Sequence, residues 1–531
     1  MGNELSRRHF FYGALLAGAV PAGGFGSVPS LLKVGYKSPN ERLNLATIGA
    51  GGRAADDIHG CVNESDKGLT PNYVAFTDVD DVSAAAIFNQ FPSSARYKDF
   101  RKMLDREEKN IDAVIIAIPD FMHATAAMWC MERGKHVYVE KPLTHTVWEA
   151  RQLAAAAAKF GVATQMGNQG YSNNGARVAS EIIWSGEIGD VTEVHAFTTR
   201  PIWPQGMTQI PPAGPIPLTL DWDLWLGISA WREYPGPVTT EAEGAPAPRP
   251  AAGGQAGRGG GRGLGGGSRN GFYQPFNWRG FFDWGCGPLG DMACHILGAV
   301  NMSLMLGAPK SVQVIQQDGK SPFAFPKHSI TIFEFPARHN MAPVKVYWYD
   351  ALGQYPKPYW PQGISEEEPI FGGPGAFGPA PQATAGRAGA ANIAGGGRAP
   401  AVTAPGRGGG GRGISEGAIF AGSKGFLTTD TYGASVRLLP QERHNAYKVP
   451  PELLTRSPGH YADWMRACKG GAPACSNFSV SGPFSEWIVM GVTALHFDGK
   501  LEWDSEKMEF TNNAEANKYV KPLFRRGWSF T

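Results

Sequence analysis

The chain is short of three things. Six cysteines among 531 residues are too few and too scattered for a disulfide framework of the kind that staples small secreted domains. Charge is sparse and balanced, with 49 basic and 47 acidic residues giving a net charge of +2. No block of one sign stands out, which argues against a nucleic-acid footprint or a membrane-surface patch. An apolar run of the roughly 20 residues needed to cross a bilayer is also missing, since the stretch from Tyr12 to Val20 is too short. Composition therefore points to a small-molecule partner, with no nucleic acid and no stable membrane insertion. The length exceeds what one core usually organises and predicts at least two domains.

Glycine and proline are abundant, at 70 and 41 residues, and they gather in two stretches, from about Pro235 to Asn270 and from about Pro361 to Gly413. Such Gly-, Ala-, Pro- and Arg-rich segments bury too little apolar area to offset the entropy of ordering, and are expected to be flexible insertions. Cys61 and Cys130 are expected to be buried thiols, and whether Cys468 and Cys475 close a short loop stays open. Residues 1–30 read as a leader. Ser6-Arg7-Arg8-His9-Phe10-Phe11 and the apolar run after it resemble a twin-arginine signal. The expectation is export of the folded chain to the periplasm or an equivalent compartment, with any nucleotide captured beforehand.

Residues 41–168 carry an alternating pattern. A short apolar strand, Leu43 to Ile48, leads into Gly49-Ala50-Gly51-Gly52-Arg53-Ala54 and a helical segment through His59. Gly49 permits a tight turn, Gly51 lets the backbone approach a pyrophosphate, Ala54 allows close helix packing, and the helix N-terminus offers free N–H groups. A second strand, Tyr73 to Thr77, ends at Asp78, whose carboxylate suits the two hydroxyls of an adenosine ribose and so favours NAD over NADP. A helix from Asp80 to Gln90, a strand Asp112 to Ile118, a helix from Ala124 to Arg133 and a strand His136 to Val139 follow. This predicts an N-terminal doubly wound α/β domain.

Glu140-Lys141-Pro142, Ile118-Pro119-Asp120 with His123, Gly167-Asn168-Gln169, Gly290-Asp291-Met292-Ala293-Cys294-His295 and the closing Gly527-Trp528 together resemble the Gfo/Idh/MocA family, the glucose-fructose oxidoreductase and inositol dehydrogenase group. The resemblance implies a Rossmann domain followed by an α+β domain. It implies NAD held by Gly49, Gly51, Gly52, Arg53, Asp78, Pro119, Asp120, His123, Glu140, Lys141 and Asn168. It also implies a catalytic set of Lys141, Asp291 and His295, with His295 as base, Asp291 orienting a sugar hydroxyl and Lys141 bonded to the reacting oxygen. Alcohol oxidation needs such a set, because the hydroxyl proton must leave as hydride departs from the same carbon. A zinc cluster of Cys286, Asp291, Cys294 and His295 is disfavoured by its spacing, so no metal is expected.

From Val191 the pattern changes to strands at Val191 to Thr199, Ser311 to Gln317, Ser329 to Phe335 and Val344 to Tyr349. They predict a large, mainly antiparallel open sheet in a substrate domain over residues 169–510, followed by a C-terminal segment, 511–531. One face of such a sheet can take helices and the other a partner subunit, so a homo-oligomer is expected. Trp203, Trp222, Trp225, Trp231, Trp278 and Trp284, with Arg200 and Arg279, suggest a carbohydrate cleft, in which Arg200, Arg279 and Trp284 join Lys141, Asp291 and His295 at the substrate. Stretches His460 to Cys468 and Ser485 to Phe497 are expected to pack back on the nucleotide domain. The reading is a dehydrogenase acting on a sugar or glycoside hydroxyl, of glycoside 3-dehydrogenase type, with tightly held NAD. Two alternatives stay open: a redox-neutral glycosidase or lyase working through transient ring oxidation, and a non-catalytic sugar-binding protein.

Overall fold

Short runs such as Ala113-Val114-Ile115-Ile116 carry apolar residues at every position, the mark of a strand covered on both faces. In the computed structural model, which describes residues 41–66, 69–235, 272–354, 359–372, 375–378 and 416–530, six such segments form one sheet. They are Asn44–Ile48 (β1), Asn72–Thr77 (β2), Ala95–Tyr97 (β3), Ala113–Ile116 (β4), His136–Val139 (β5) and Thr164–Met166 (β6). The order is β3-β2-β1-β4-β5-β6 with every pair parallel. Helices Arg53–Asn63 (α1), Asp81–Gln90 (α2), Phe100–Glu107 (α3), Asp120–Glu132 (α4) and Val147–Phe160 (α5) make the crossovers. The winding reverses between β1 and β4, which opens a crevice at their carboxyl ends. The arginine pair of the leader and most of both insertions lie outside the described residues.

Two boundaries bear on the site. Helix α4 begins at Asp120, with Pro119 as its N-cap, not at Ala124 as the apolar pattern suggested. Proline just before a helix sets the entry backbone, so Asp120 and His123 occupy its first turn. Helix α5 is fixed by a reciprocal capping box of Thr146 and Glu149 and stops at Gly161 in the left-handed conformation (φ +65°).

Beyond Asn174–Trp184 (α6), a nine-stranded sheet takes over. Its strands are Val191–Phe197 (β7), Ser311–Asp318 (β8), His328–Phe335 (β9), Val344–Tyr349 (β10), Gly417–Gly422 (β11), Gly425–Asp430 (β12), Val436–Leu439 (β13), Lys500–Asp504 (β14) and Glu509–Phe510 (β15). The order is β13-β12-β11-β7-β10-β9-β8-β14-β15, antiparallel throughout except for β7 against β10. Alternate side chains sort to opposite faces. Val194, Ala196, Val346, Trp348, Phe333 and Phe420 enter the main core, while Phe197, Ile419 and Leu439 join Leu352 and Ile370 in a separate cluster on the other face.

His460–Cys468 (α7) returns to the first sheet, where Tyr461, Trp464, Met465 and Cys468 pack with Leu45, Ile58, Phe76, Ile115 and Tyr138. Phe478–Ala494 (α8) starts ahead of its expected position at Ser485, capped by Asn477, and lies along α5. All six cysteines are free thiols, so Cys468 and Cys475 are not bridged; Cys61 and Cys130 are buried, and burial pushes both thiols up. Among the described residues no helix is long and apolar enough to cross a membrane.

Candidate active site

The glycine loop between β1 and α1 is shaped by close approach. At Gly49 (φ +83°) an added Cβ would meet the Ala117 carbonyl oxygen at 2.4 Å, and at Gly51 it would meet that of Ser83 at 2.6 Å. Gly52 (φ +58°) faces open space, since a Cβ added there would meet nothing within 4 Å, and α1 has no side-chain cap. Open room above uncapped N–H groups at the switch point is what a pyrophosphate requires, and the loop fits the dinucleotide that the sequence implies. Asp78 Oδ2 accepts from the Ala50 and Gly51 amides at 3.0 Å each, and Oδ1 accepts from Asp80 N at 2.9 Å. Burial raises the Asp78 carboxyl, and these three N–H donors oppose it. The carboxylate is thus fixed at the end of β2, where a ribose would lie.

Arg53 lies sideways from the loop. Its guanidinium meets Glu140 at 3.0 Å, Asp57 at 3.1 Å and Asp56 at 3.3 Å, and donates to Tyr461 Oη at 3.2 Å. Burial alone would raise Glu140, but Arg53 and Lys141 outweigh it and bring the carboxyl down to about 2. Gly167 brings Asn168 alongside, since a Cβ there would strike Glu140 Oε1 at 2.5 Å. Asn168 Oδ1 accepts from Ser476 Oγ at 2.5 Å, and its Nδ2 is buried without a hydrogen-bond partner.

Lys141 and Asp291 meet because Gly290 lets two segments touch: a Cβ there would collide with Cys286 Cβ at 2.4 Å and reach Pro142 at 3.0 Å. Lys141 Nζ donates to Asp291 Oδ1 at 2.8 Å and to its backbone oxygen at 2.9 Å. Arg200 Nε stands 3.4 Å from Asp291 Oδ2, and Arg279 Nε 3.5 Å from Oδ1. Burial works to raise the Asp291 carboxyl, but Lys141, Arg279 and Arg200 hold it well below the usual range. Asp291 sits in a π-helical turn, Leu289–Ala293, that runs into the α-helical turn Cys294–Ile296 carrying His295. Single π turns recur at functional sites. His295 is buried, its Nδ1 has no hydrogen-bond partner, and burial together with the Lys141 cation brings it down to about 3. It is a neutral imidazole with a free nitrogen.

Other expected residues play different parts. The ring nitrogens of His123 lie 2.7 Å from the Pro142 and Ile118 carbonyl oxygens, so this side chain ties the Glu-Lys-Pro turn to the end of β4. Asp120 Oδ2 accepts from Cys286 N at 2.9 Å, and burial, only partly opposed by Arg279 and Lys141, pushes its carboxyl up to about 7. Trp284 is 1% exposed, packed edge-on against Trp225 and Tyr273 and donating to Ser229 Oγ, so its faces belong to the core and not to a sugar cleft. Trp203, Trp222, Trp225 and Trp278 are buried too, and only Trp231 is exposed. Their spacing reports how an irregular segment is anchored. Among the described residues no group of three or more His, Cys, Asp or Glu is arranged to hold a metal.

Three residues at the site were not anticipated. Tyr432 lies with its ring 4.9 Å from that of His295. Phe276 packs on the Arg279 guanidinium from 4.3 Å, with Trp278 at 4.2 Å. Tyr461 reaches from α7 to Asp57 and Arg53. Tyr432 and Tyr461 come from segments remote in sequence, while Phe276 stands three residues before Arg279 in a stretch with no recognisable motif.

A parallel 3-2-1-4-5-6 sheet with a glycine loop at its switch point is a doubly wound dinucleotide-binding arrangement, and the chain continues from it into a large open sheet. Residues 43–168 match the model of the GFO_IDH_MocA oxidoreductase family, described as an NAD-binding Rossmann fold. The inositol 2-dehydrogenase of Arthrobacter sp. (strain FB24) is 28% identical over 169 residues, 32% of this chain and 49% of that protein. A dTDP-3,4-didehydro-2,6-dideoxy-alpha-D-glucose 3-reductase of Saccharopolyspora spinosa is 28% identical over 158 residues, 28% of this chain and 46% of its own length. The matches thus span half or less of these relatives. The fold likeness is broader: the WlbA dehydrogenase of Bordetella pertussis, solved with NADH and UDP-GlcNAcA, aligns with 88% of this chain and 98% of that one at a TM-score of 0.52 and 12% identity.

Proposed function

We propose that this protein is an NAD-dependent oxidoreductase that oxidises a hydroxyl of a sugar or glycoside. The observation that carries the reading is the juxtaposition of the Lys141–Asp291 pair with a neutral His295 in the next turn of the same helical segment. Sugar-type substrates are supported by the relatives, which include an inositol 2-dehydrogenase and a dideoxy-sugar 3-reductase.

Gly49, Gly51, Gly52 and Asp78 would hold the pyrophosphate and adenosine ribose of NAD, with Pro119, Glu140, Lys141 and Asn168 along the rest of the cofactor. NAD supplies the two-electron acceptor when bound. The chain does the rest. Lys141, fixed by two bonds to Asp291, places an ammonium against the substrate hydroxyl oxygen and favours its deprotonation. His295, a neutral imidazole beside Lys141, accepts the proton. Asp291 anchors Lys141 and keeps the guanidinium groups of Arg200 and Arg279 at the same point. The buried position of His295 and Asp291 keeps bulk water from the transferring proton.

The same reading includes export by the twin-arginine route with the cofactor tightly held, a homo-oligomer built on the large sheet, and oxidation of the glycoside 3-dehydrogenase type. Incubating protein purified from the periplasm with a panel of glycosides, and weighing the products, tests it. A loss of two hydrogens, with nucleotide co-purifying, is expected. Aglycone release without a ketone product would instead establish the redox-neutral alternative, and an empty site that binds NAD only at millimolar levels would remove the tight-cofactor reading.

A further inference from the structure

The charges around Asp291 do not balance. Lys141, Arg200 and Arg279 all converge on this one carboxylate, so three cations meet a single anion. Lys141 is the partner at hydrogen-bond distance; the two guanidinium groups stand off at 3.4 and 3.5 Å, longer than a good charged hydrogen bond. Arg200 Nε is buried without a hydrogen-bond partner, and among the described residues its guanidinium has no ionic neighbour besides Asp291. Arg279 has one long bond, from Nη1 to the Phe276 oxygen at 3.4 Å, and lies against the rings of Phe276 and Trp278. Those rings hold a planar fork in place without using its donors.

Glu140 lies beside Lys141 and Arg53 and, among the described residues, forms no ion pair with either of the two forks. Asp120 is the other carboxyl close by; it accepts from Cys286 N, and burial pushes it up to about 7 against Arg279 and Lys141, so that it is uncharged below that pH. Two partly buried forks beside an ammonium, with ten N–H donors between them, leave room for a further anion, most of all while Asp120 is uncharged. Hydroxyl groups of a neutral sugar would use the donors and leave the repulsion standing.

We infer that Arg200 and Arg279 form a clamp for an anionic group of the substrate, a carboxylate or a phosphate, beside the carbon that reacts. The substrate class is then a sugar acid or a sugar phosphate. The inference takes the placing of the reacting carbon from the dehydrogenase reading above, but the clamp itself stands on the charges and can be tested apart from turnover.

The test is calorimetric titration of the full chain loaded with NADH, so that binding is read without reaction. The probes are glucuronate, galacturonate, glucose 6-phosphate, their neutral parents glucose and galactose, and the methyl ester of glucuronate. An anion is expected to bind at least about tenfold more tightly than its neutral counterpart, as charge-assisted hydrogen bonds allow. Arg200→Gln and Arg279→Gln are each expected to cut that ratio several-fold, and raised salt to lower it. Preference for the uronates assigns a carboxylate, and preference for glucose 6-phosphate assigns a phosphate. Neutral sugars binding as tightly as the anions would overturn the clamp, as would variants that weaken charged and neutral probes equally. NADH formation from NAD is measured separately. Neutral sugars oxidised with no preference for anions would leave the dehydrogenase standing and remove the clamp; anion binding with no NADH from any probe would do the reverse.

Discussion

In the proposed reaction His295 takes the proton, and its environment keeps it neutral over the whole working range. With its imidazole brought down to about 3, no limb of a rate profile between pH 5 and 9 comes from its titration. His295→Gln removes the acceptor and is expected to lower kcat by about 10²–10⁴-fold, the usual contribution of a general base, with NADH affinity nearly unchanged in a fluorescence titration. Asp120 is the side chain here that does titrate near neutrality, at about 7. Below that pH it is uncharged; above it a carboxylate appears beside Arg279 and Lys141 and weakens their pull on an anionic substrate. The substrate KM is therefore expected to rise as pH passes upward through 7, and to stay flat over that range in Asp120→Asn. A rise of the same size in the variant would assign the titration elsewhere. At this scale the sequence was readable where chemistry and spacing coincide: Lys141, Asp291 and His295 stand in short motifs that the fold brings together. Tyr432 and Tyr461 were not, because their proximity to the site is made by packing between distant segments. Trp284 was misleading for the opposite reason, as an aromatic close in sequence to the catalytic turn that packs away from it.

Helix α5 shows how an element carries a pH dependence of its own. Glu149 closes its capping box: Oε2 accepts from Thr146 N at 2.8 Å, Thr146 Oγ1 at 2.9 Å and His145 N at 3.2 Å, while Oε1 is buried with no partner. Burial pushes the carboxyl up to about 7, against three opposing hydrogen bonds. A folded-state value raised above the unfolded one favours folding in the protonated form. That contribution is complete below about pH 4.3, the unfolded value, and is lost as pH rises through 7. Glu149→Gln keeps an acceptor and never ionises. Its melting temperature relative to the unmodified protein is therefore expected to climb from pH 4.5 to 7.5 and then level, by scanning calorimetry; a constant difference would mean that Glu149 is ionised throughout. The elements themselves were legible to differing degrees. β5 and the core strands of the first sheet show in the sequence because buried strands must be apolar throughout, and β10 shows because its faces alternate. β3 did not, being three residues at a sheet edge with Arg96 exposed. β11 to β13 were hidden behind the second insertion, where short strands rich in Gly and Thr give little periodicity.

At the level of the molecule, the outer face of the large sheet is partly covered where it was expected to be free. Residues 359–372, which run into the start of what composition marks as the second flexible insertion, lie on the outer face: the Tyr359 ring stacks on His195, the Ile370 carbonyl accepts from Thr428 Oγ1 at 2.6 Å, and Ile370 itself is 5% exposed over Phe197, Ile419 and Leu439. Four apolar residues, Trp360, Ile364, Ile370 and Phe371, give that segment enough to bury, which the surrounding glycine and proline obscure. The chain thus covers in cis the β7, β11 and β13 part of the face. What stays half-exposed is the neighbouring part, where Ile332 of β9 pairs with Tyr347 of β10 and charged side chains such as Glu334 and Lys345 surround them. A half-apolar patch with a charged rim is the composition of a subunit contact, whereas the covered part can offer a partner only the outer surface of the segment itself. We propose that a homo-oligomer built on this sheet forms through β9 and β10. Ile332→Glu sets a buried charge in such a contact beside Glu334, a cost that the remaining contacts do not offset. In sedimentation equilibrium the unmodified protein is expected to show a multiple of the single-chain mass and the variant a single chain, with the melting temperature little altered because Ile332 is only half-buried in the isolated chain. An oligomer that persists unchanged in Ile332→Glu would place the contact off this face, and the cover formed by residues 359–372 would then be what removed the sheet from assembly altogether.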